Sequence, residues 1–397
     1  MNTEFAESGN SLADRIARAR IVAGQPAHNA QLDPRSVDLE AWNYIGDPLA
    51  EALIAEMRGR KLMGGNLYSG ARVLEAQGNP AAVNFFRDVE WVPEWANFDR
   101  MRAGAAMGSR NPIGMMFGFH GALPATYGDP NVSKVMVQTG RLDKNGDFAR
   151  RYWETATGFV DALDVDGMRP GGAGWESWVR IRLYHTMIRI GIDRPSKWNP
   201  EDGVPISQMT TAAGVFVFGQ LRVNIIKALG GYVTTDEADS FALMWRWITR
   251  ILGVNTELLG RTDADQRTID ELMFEKVYRP DEDSKVLIDA MIDGLNKMSL
   301  FPMSRGLHRA MVHYLLSPKV VTIAGRDVTE DAGVSQIGWL DKAALQTGVL
   351  VLTVFGQIQR VPAIARTSTR LGLPSMAVIV NKGLGAKKAD FKPVGHP

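Results

Sequence analysis

Apolar side chains recur at three- and four-residue spacing along most of this chain, and clusters of turn residues separate the periodic stretches. Residues 12–22 read as a helix capped by Ser11. Residues 48–58 read as another, with Pro48 at the first helical position after Gly46-Asp47. Residues 93–117 are helical in parts, with a break near Asn111-Pro112, and 120–128 form a buried loop or kinked helix of small residues. In 146–163, Tyr152, Ala156, Phe159 and Leu163 mark one helical face, and Asp147 is placed to cap it. A breaker-rich loop at 164–174, DVDGMRPGGAG, leads into an amphipathic helix over 176–190. A long apolar helix spans 205–229 and ends at Gly230-Gly231. The next, 234–252, opens on a capping-box pattern, Thr234 followed by Glu237. Helices at 268–278, 282–297 and 305–316 follow, and a last one at 338–371, broken near Pro362, completes the helical array. The one strand signal is a small hairpin pairing 320–323 with 326–328 across Ala324-Gly325. Strands do not alternate with helices, which argues against a Rossmann or barrel enzyme, and the expected class is all-α.

Length divides this pattern into an N-terminal extension (1–45), a large helical domain (46–372) and a C-terminal tail (373–397) within 397 residues. Lys plus Arg number 45 and Asp plus Glu 44, for a net charge of +1, so no chain-wide field favours nucleic acid. Cysteine is absent, which removes disulfides, zinc–thiolate sites, cysteine-held clusters and thioether-linked haem. The first residues lack the basic start and apolar stretch of a secretion signal, and no window has about 18 unbroken apolar residues. The expectation is a cytoplasmic protein without a membrane span, a monomer or weak homo-oligomer. The most apolar window, 348–355, reads as a buried helix.

Candidate chemistry concentrates in two neighbouring helices. In ESWVRIRLYHTMIRI, His185 stands among aliphatic side chains and is flanked by Arg182 and Arg189. Such a histidine is either a core residue with one hydrogen bond or an axial ligand to a flat anionic cofactor such as haem. In the second case, arginines can contact propionates or fix the ligand helix. In ARRYWETATGFVDAL, Arg151 and Thr155 are four residues apart on one face, with Glu154 beside it. These three form either a surface ion pair with a nearby threonine or a polar cluster above a cofactor, where a carboxylate can act as a base. His120 in FGFHGALPATYG is the rival ligand candidate. His308 and His313 are five apart, which does not suit a two-histidine metal pair. The acidic run 261–271 lacks the features of a calcium loop and reads as a capped helix start, and Gly171-Gly172-Ala173-Gly174 reads as a hinge.

Several segments, in order, carry a family resemblance: ALPATYGDPNVSKVMVQTGRL, ARRYWETATGFVDAL, WVRIRLYHTMIR, PISQMTTAAGVFVFGQLR and EADSFALMWRWITRILGV. Together they resemble the latex clearing proteins (rubber oxygenases) and the related oxygenases that shorten prenyl side chains. The resemblance implies a globin-like helical core holding haem b. His185 would be the iron ligand, Arg182 and Arg189 would flank it, and Arg151 and Thr155 would lie on the distal helix. It also implies O2 as co-substrate and attack on a C=C bond of a hydrophobic, isoprenoid or olefinic small molecule. Glu154 stands where the latex enzymes carry a lysine, so a lysine sixth ligand does not transfer. Possible pocket walls are Val215, Phe216, Val217 and Phe218, and Met115, Met116, Phe117 and Phe119. The competing readings are a haem monooxygenase or peroxygenase, a non-catalytic haem carrier or sensor, and a helical binding module without cofactor.

Overall fold

A computed structural model describes residues 11–29, 33–139, 148–321 and 327–385. Among these residues there are twenty α-helices and no strand. The hairpin expected at 320–328 is not formed at its described ends: Val320 and Val321 are not in a strand, and Val328 opens the short helix Val328–Asp331; residues 322–326 and the Asp147 cap lie outside the described residues. A contiguous core runs from Ala19 and Ala23 through Trp42, Phe85, Trp175 and Trp247 to Met376 and Val380, so the N-terminal extension and the last helix both pack on the main body.

Local chemistry explains most boundaries. Ser11 caps Leu12–Ala23, Asp47 caps Pro48–Gly59, and Thr234 with Glu237 closes a reciprocal capping box at Thr235–Ile251. Thr262 caps Asp263–Val277, so the acidic run at 261–271 is a helix start, as its composition suggests. The long apolar stretch is not one regular helix. It runs as Gln208–Ala212, then a π-helical turn Phe216–Gln220, then Leu221–Ala228. By length and composition the run Gln208–Ala228 suffices to cross a membrane, but 61% of it is buried inside the protein, and it serves as a core helix.

Two expectations at the C-terminus are overturned. The apolar window 348–355 is helical but faces outward: Leu350 is 66% exposed and Phe355 63%. The reason is that its helix, Trp339–Ile358, approaches the body through Gly356, whose absent side chain lets it lie against the Gly230 carbonyl. The bulky residues are left outside. The final helix, Pro362–Gly383, also runs past 371 and buries Met376 and Val380.

The feature that places the site is a buried ionic lattice. Arg182 on the helix Ala173–Ile192 donates from Nε and Nη2 to Asp47 (2.6 and 2.9 Å) and from Nη1 to Asp88 (2.7 Å). Arg250, at the end of Thr235–Ile251, donates to the same Asp88 carboxylate at 2.5 Å. Asp88 lies on Pro80–Glu90, so four helices meet at two carboxylates and two guanidiniums. Burial alone would raise the Asp88 carboxyl, but Arg250 and Arg182 outweigh it and hold it below the ordinary carboxylate range. Gly253, at φ +91, turns the chain tightly over the Arg182 guanidinium, where a Cβ would collide.

Removing one partner of a buried lattice strands the remaining charge. Asp88→Ala is therefore expected to lower stability by about 3–5 kcal/mol in urea denaturation at pH 7. The lowered Asp88 pKa contributes stability above the unfolded value of 3.8, which is lost as pH falls through its folded value. The penalty of Asp88→Ala should shrink below pH 4; a penalty under about 1 kcal/mol at pH 7 would contradict the lattice's role.

Candidate functional site

Residues from both helices singled out in the sequence line one cavity of about 420 Å³: His185 from Ala173–Ile192, and Arg151, Glu154 and Thr155 from Phe148–Asp161. On the His185 helix, Trp178, Ile181, Tyr184 and His185 share the cavity face. Thr186 and the two arginines sit on the adjoining buried face. His185 is half-buried, and its Nδ1 atom is fully shielded from solvent.

Arg182 and Arg189 do not line this cavity. Arg182 belongs to the ionic lattice. Arg189 donates from Nε to the Pro205 carbonyl (3.1 Å) and from Nη2 to that of Ile206 (2.6 Å), and pairs with Glu51 at 3.4 Å. These bonds tie the His185 helix to its neighbours and leave neither guanidinium facing the cavity. Ile206 itself lines the cavity at φ +52, a strained position for a β-branched residue. It is held there by Arg189 at its carbonyl and by the Asn131 side chain, which accepts from its N–H at 2.8 Å.

The cavity helix presents its polar end to solvent. Thr155 is exposed, while Arg151 and Glu154 are half-buried. Arg150, four residues back, donates from Nε to Glu154 Oε1 at 3.0 Å. Deeper walls are apolar and aromatic: Phe159, Trp178, Phe218 and Trp245 make a run of edge-on and tilted ring contacts. Gly158 and Gly214 keep space open among them. Val217 and Phe218, from the π-helical turn, are wall residues. Val215, Phe216, Met115, Met116, Phe117 and Phe119 are not.

His120 is corrected as a ligand candidate. It lies outside the cavity, fully buried, with its ring stacked on that of His308 at 8° and its Nε2 2.9 Å from His308 Nδ1. Its Nδ1 faces the Phe117 carbonyl at 3.1 Å. Burial, then the neighbouring His308, push its pKa down to about 3, so it is a neutral core histidine. The glycine-rich loop at 171–174 starts the His185 helix and does not line the cavity.

Asp129 was not anticipated. It caps Pro130–Gln138, accepting from Asn131 N at 2.8 Å, and it also accepts from Thr210 Oγ1 at 2.8 Å while facing the cavity. Burial pushes its carboxyl up to about 6, against those two bonds. Its Asp-Pro signature is visible in the sequence, but it reads there as an ordinary helix cap.

Fold and site together define a helical protein built round one apolar cavity with a histidine in its wall and a polar cluster at its mouth. Comparisons with known proteins agree. Residues 106–351 match the family model described as ER-bound oxygenase mpaB/B′/rubber oxygenase, catalytic domain, and the chain belongs to that family. It is thus an oxidoreductase of an oxygenase family. The fold is similar to that of latex clearing protein LCP in its closed state, with a TM-score of 0.61 and 17% identity, covering 88% of this chain and 95% of that one. No curated protein sequence matches the chain.

Asp129 gives a pH test of the cavity's dryness. An acid whose folded pKa lies above its unfolded 3.8 lends stability below pH 3.8 and loses it as pH rises through about 6. Asp129→Asn keeps the cap, so it should raise stability at pH 8 by up to about 3 kcal/mol and change little at pH 4. Equal effects at both pH values would contradict the buried, dry setting.

Proposed function

We propose that this chain is a haem-b-dependent oxygenase that uses O2 to cleave or oxidise a C=C bond of a hydrophobic isoprenoid or olefinic small molecule. The observation that carries this reading is the shared cavity: one imidazole, His185, opens into an apolar space that also holds Arg151, Glu154 and Thr155. Family membership supports oxygen chemistry. The cofactor, the dioxygenase outcome and the substrate are our reading.

The donor set fits a porphyrin. A lone imidazole is a weak site for a bare metal ion, and among the described residues no three metal-ligating side chains cluster. A macrocycle would supply the further metal ligands that the protein does not. The cavity volume lies within the usual range for small-molecule and cofactor sites. His185 would hold the iron, Trp178, Ile181 and Phe218 would pack on the ring, and Arg151 is the arginine in the cavity wall suited to a propionate or a polarised oxygen. A haem bound there supplies dioxygen binding and activation.

The chain's own residues do the rest. Aromatic and aliphatic walls exclude water and accept an olefin by apolar contact. Glu154, which accepts from Arg150 through Oε1, would accept a proton from the substrate, and Thr155 would donate a hydrogen bond at the mouth. Arg182 and Arg189 act at a distance by holding the His185 helix.

Protein loaded with haem should show a Soret band that is lost or shifted in His185→Ala, while Glu154→Gln keeps the band and slows turnover. Under 18O2, both labelled atoms should appear across the broken bond. An unchanged band in His185→Ala would overturn the ligand assignment, and one labelled atom would mark a monooxygenase.

A further inference from the structure

Eighteen large apolar side chains are exposed among the described residues, and eleven of them fall between Trp339 and Val378, about a tenth of the chain. They lie on two consecutive helices, Trp339–Ile358 and Pro362–Gly383, whose axes bend by 115° at the break. On the first helix Leu350, Val354 and Ile358 follow at four-residue spacing, with Val351 and Phe355 alongside, so they form a continuous outward stripe. Val361 and Ile364 carry it round the corner. Such concentration differs from scattered surface apolars and marks an interaction face.

The inner side of the hairpin is already occupied. Gly356 meets the Gly230 carbonyl, Gly372 meets the Ser109 carbonyl, and Gln359 donates to the Arg110 carbonyl at 3.0 Å. The exposed stripe is therefore a second face on elements that are firmly seated.

Charge says what covers it. Between 339 and 385 every exposed charged side chain is a cation: Lys342, Arg360, Arg366, Arg370 and Lys382. The one acid, Asp341, is half-buried and accepts from Ser304. This excess is local, since the whole chain is nearly neutral. A second copy of the same face would bring cations against cations, whereas an anionic lipid surface satisfies both the apolar stripe and its basic flanks. The 115° bend and the arginines within the second helix suit lying on a bilayer better than crossing it.

We infer that the hairpin Trp339–Gly383 is an interfacial membrane-docking device that seats its apolar stripe in an anionic bilayer surface. Its last turn bears on the cavity: Gly383 lies against the Trp153 indole of the helix that carries Arg151, Glu154 and Thr155, with no room for a Cβ. The inference stands on exposure and charge and does not depend on the oxygenase reading.

The test is co-sedimentation of the full chain with phosphatidylcholine vesicles, with and without about 30% phosphatidylglycerol, at low salt and in about 0.5 M salt. Wild type should pellet with the anionic vesicles, less with the neutral ones, and less in high salt. The double variant Val354→Glu/Phe355→Glu should bind at least about tenfold more weakly. So should Arg366→Glu/Arg370→Glu, which leaves the stripe intact. All four positions are exposed, so both variants should keep the wild-type circular dichroism spectrum and Tm. Wild type remaining in the supernatant, equal binding to both vesicle types, or full binding by folded variants would overturn the proposal. So would a concentration-dependent dimer, dissociated by Val354→Glu/Phe355→Glu, without vesicle binding; that result would assign the face to a second copy.

Discussion

Two carboxylates and two guanidiniums, out of reach of water, fix the geometry on which everything else depends. Asp47, Asp88, Arg182 and Arg250 come from four separate places in the chain and close on one another at 2.5–2.9 Å. Taking such charges from water is costly, and the arrangement is tolerable only because each has partners at short range. The cost makes it specific, because any shift of the His185 helix along its axis would strand a charge. Arg182 and His185 are three residues apart, so a helix clamped through the first has little freedom to turn the second. Arg189, one further turn along, extends the clamp to the carbonyls of Pro205 and Ile206.

The cavity inherits this order. Ile206 is kept in a left-handed backbone conformation between Arg189 and Asn131, and Gln208 just beyond bridges the carbonyls of Gly46 and Gly253 at 2.8 and 3.0 Å. The wall that follows departs from regular α-helix at Phe216–Gln220, which turns Val217 and Phe218 toward the space. Strain and irregularity thus gather at the apolar chamber, while the polar cluster of Arg151, Glu154 and Thr155 stays near its mouth. On the proposed function, a histidine in such a wall would hold a planar cofactor against aromatic rings, and the clamp restricts the movement of its helix.

Local periodicity carried the all-α class, because helix spacing, caps and breakers act within a few residues. Thr234 with Glu237 and the break at Asn111-Pro112 were legible for that reason. The meeting of His185 with Arg151, Glu154 and Thr155 was legible from the order of several motifs together. Longer-range pairings were not. Asp88 lies 94 residues from Arg182, and His308 lies 188 from His120, so no spacing rule joins them. The outward stripe at 350–358 was misread because apolar composition says how a side chain partitions, not which phase meets it. Gly356 decided that, by turning the small side of the helix inward.

The proposed function has the clamped helix present the His185 imidazole to a planar cofactor. Chemical rescue distinguishes the outcomes: titrate His185→Gly with haem, then add free imidazole. Haem binding should weaken with an altered spectrum, and the wild-type bands should return as imidazole fills the space left by the side chain. A wild-type spectrum without imidazole, or an altered one that imidazole leaves unchanged, would contradict it.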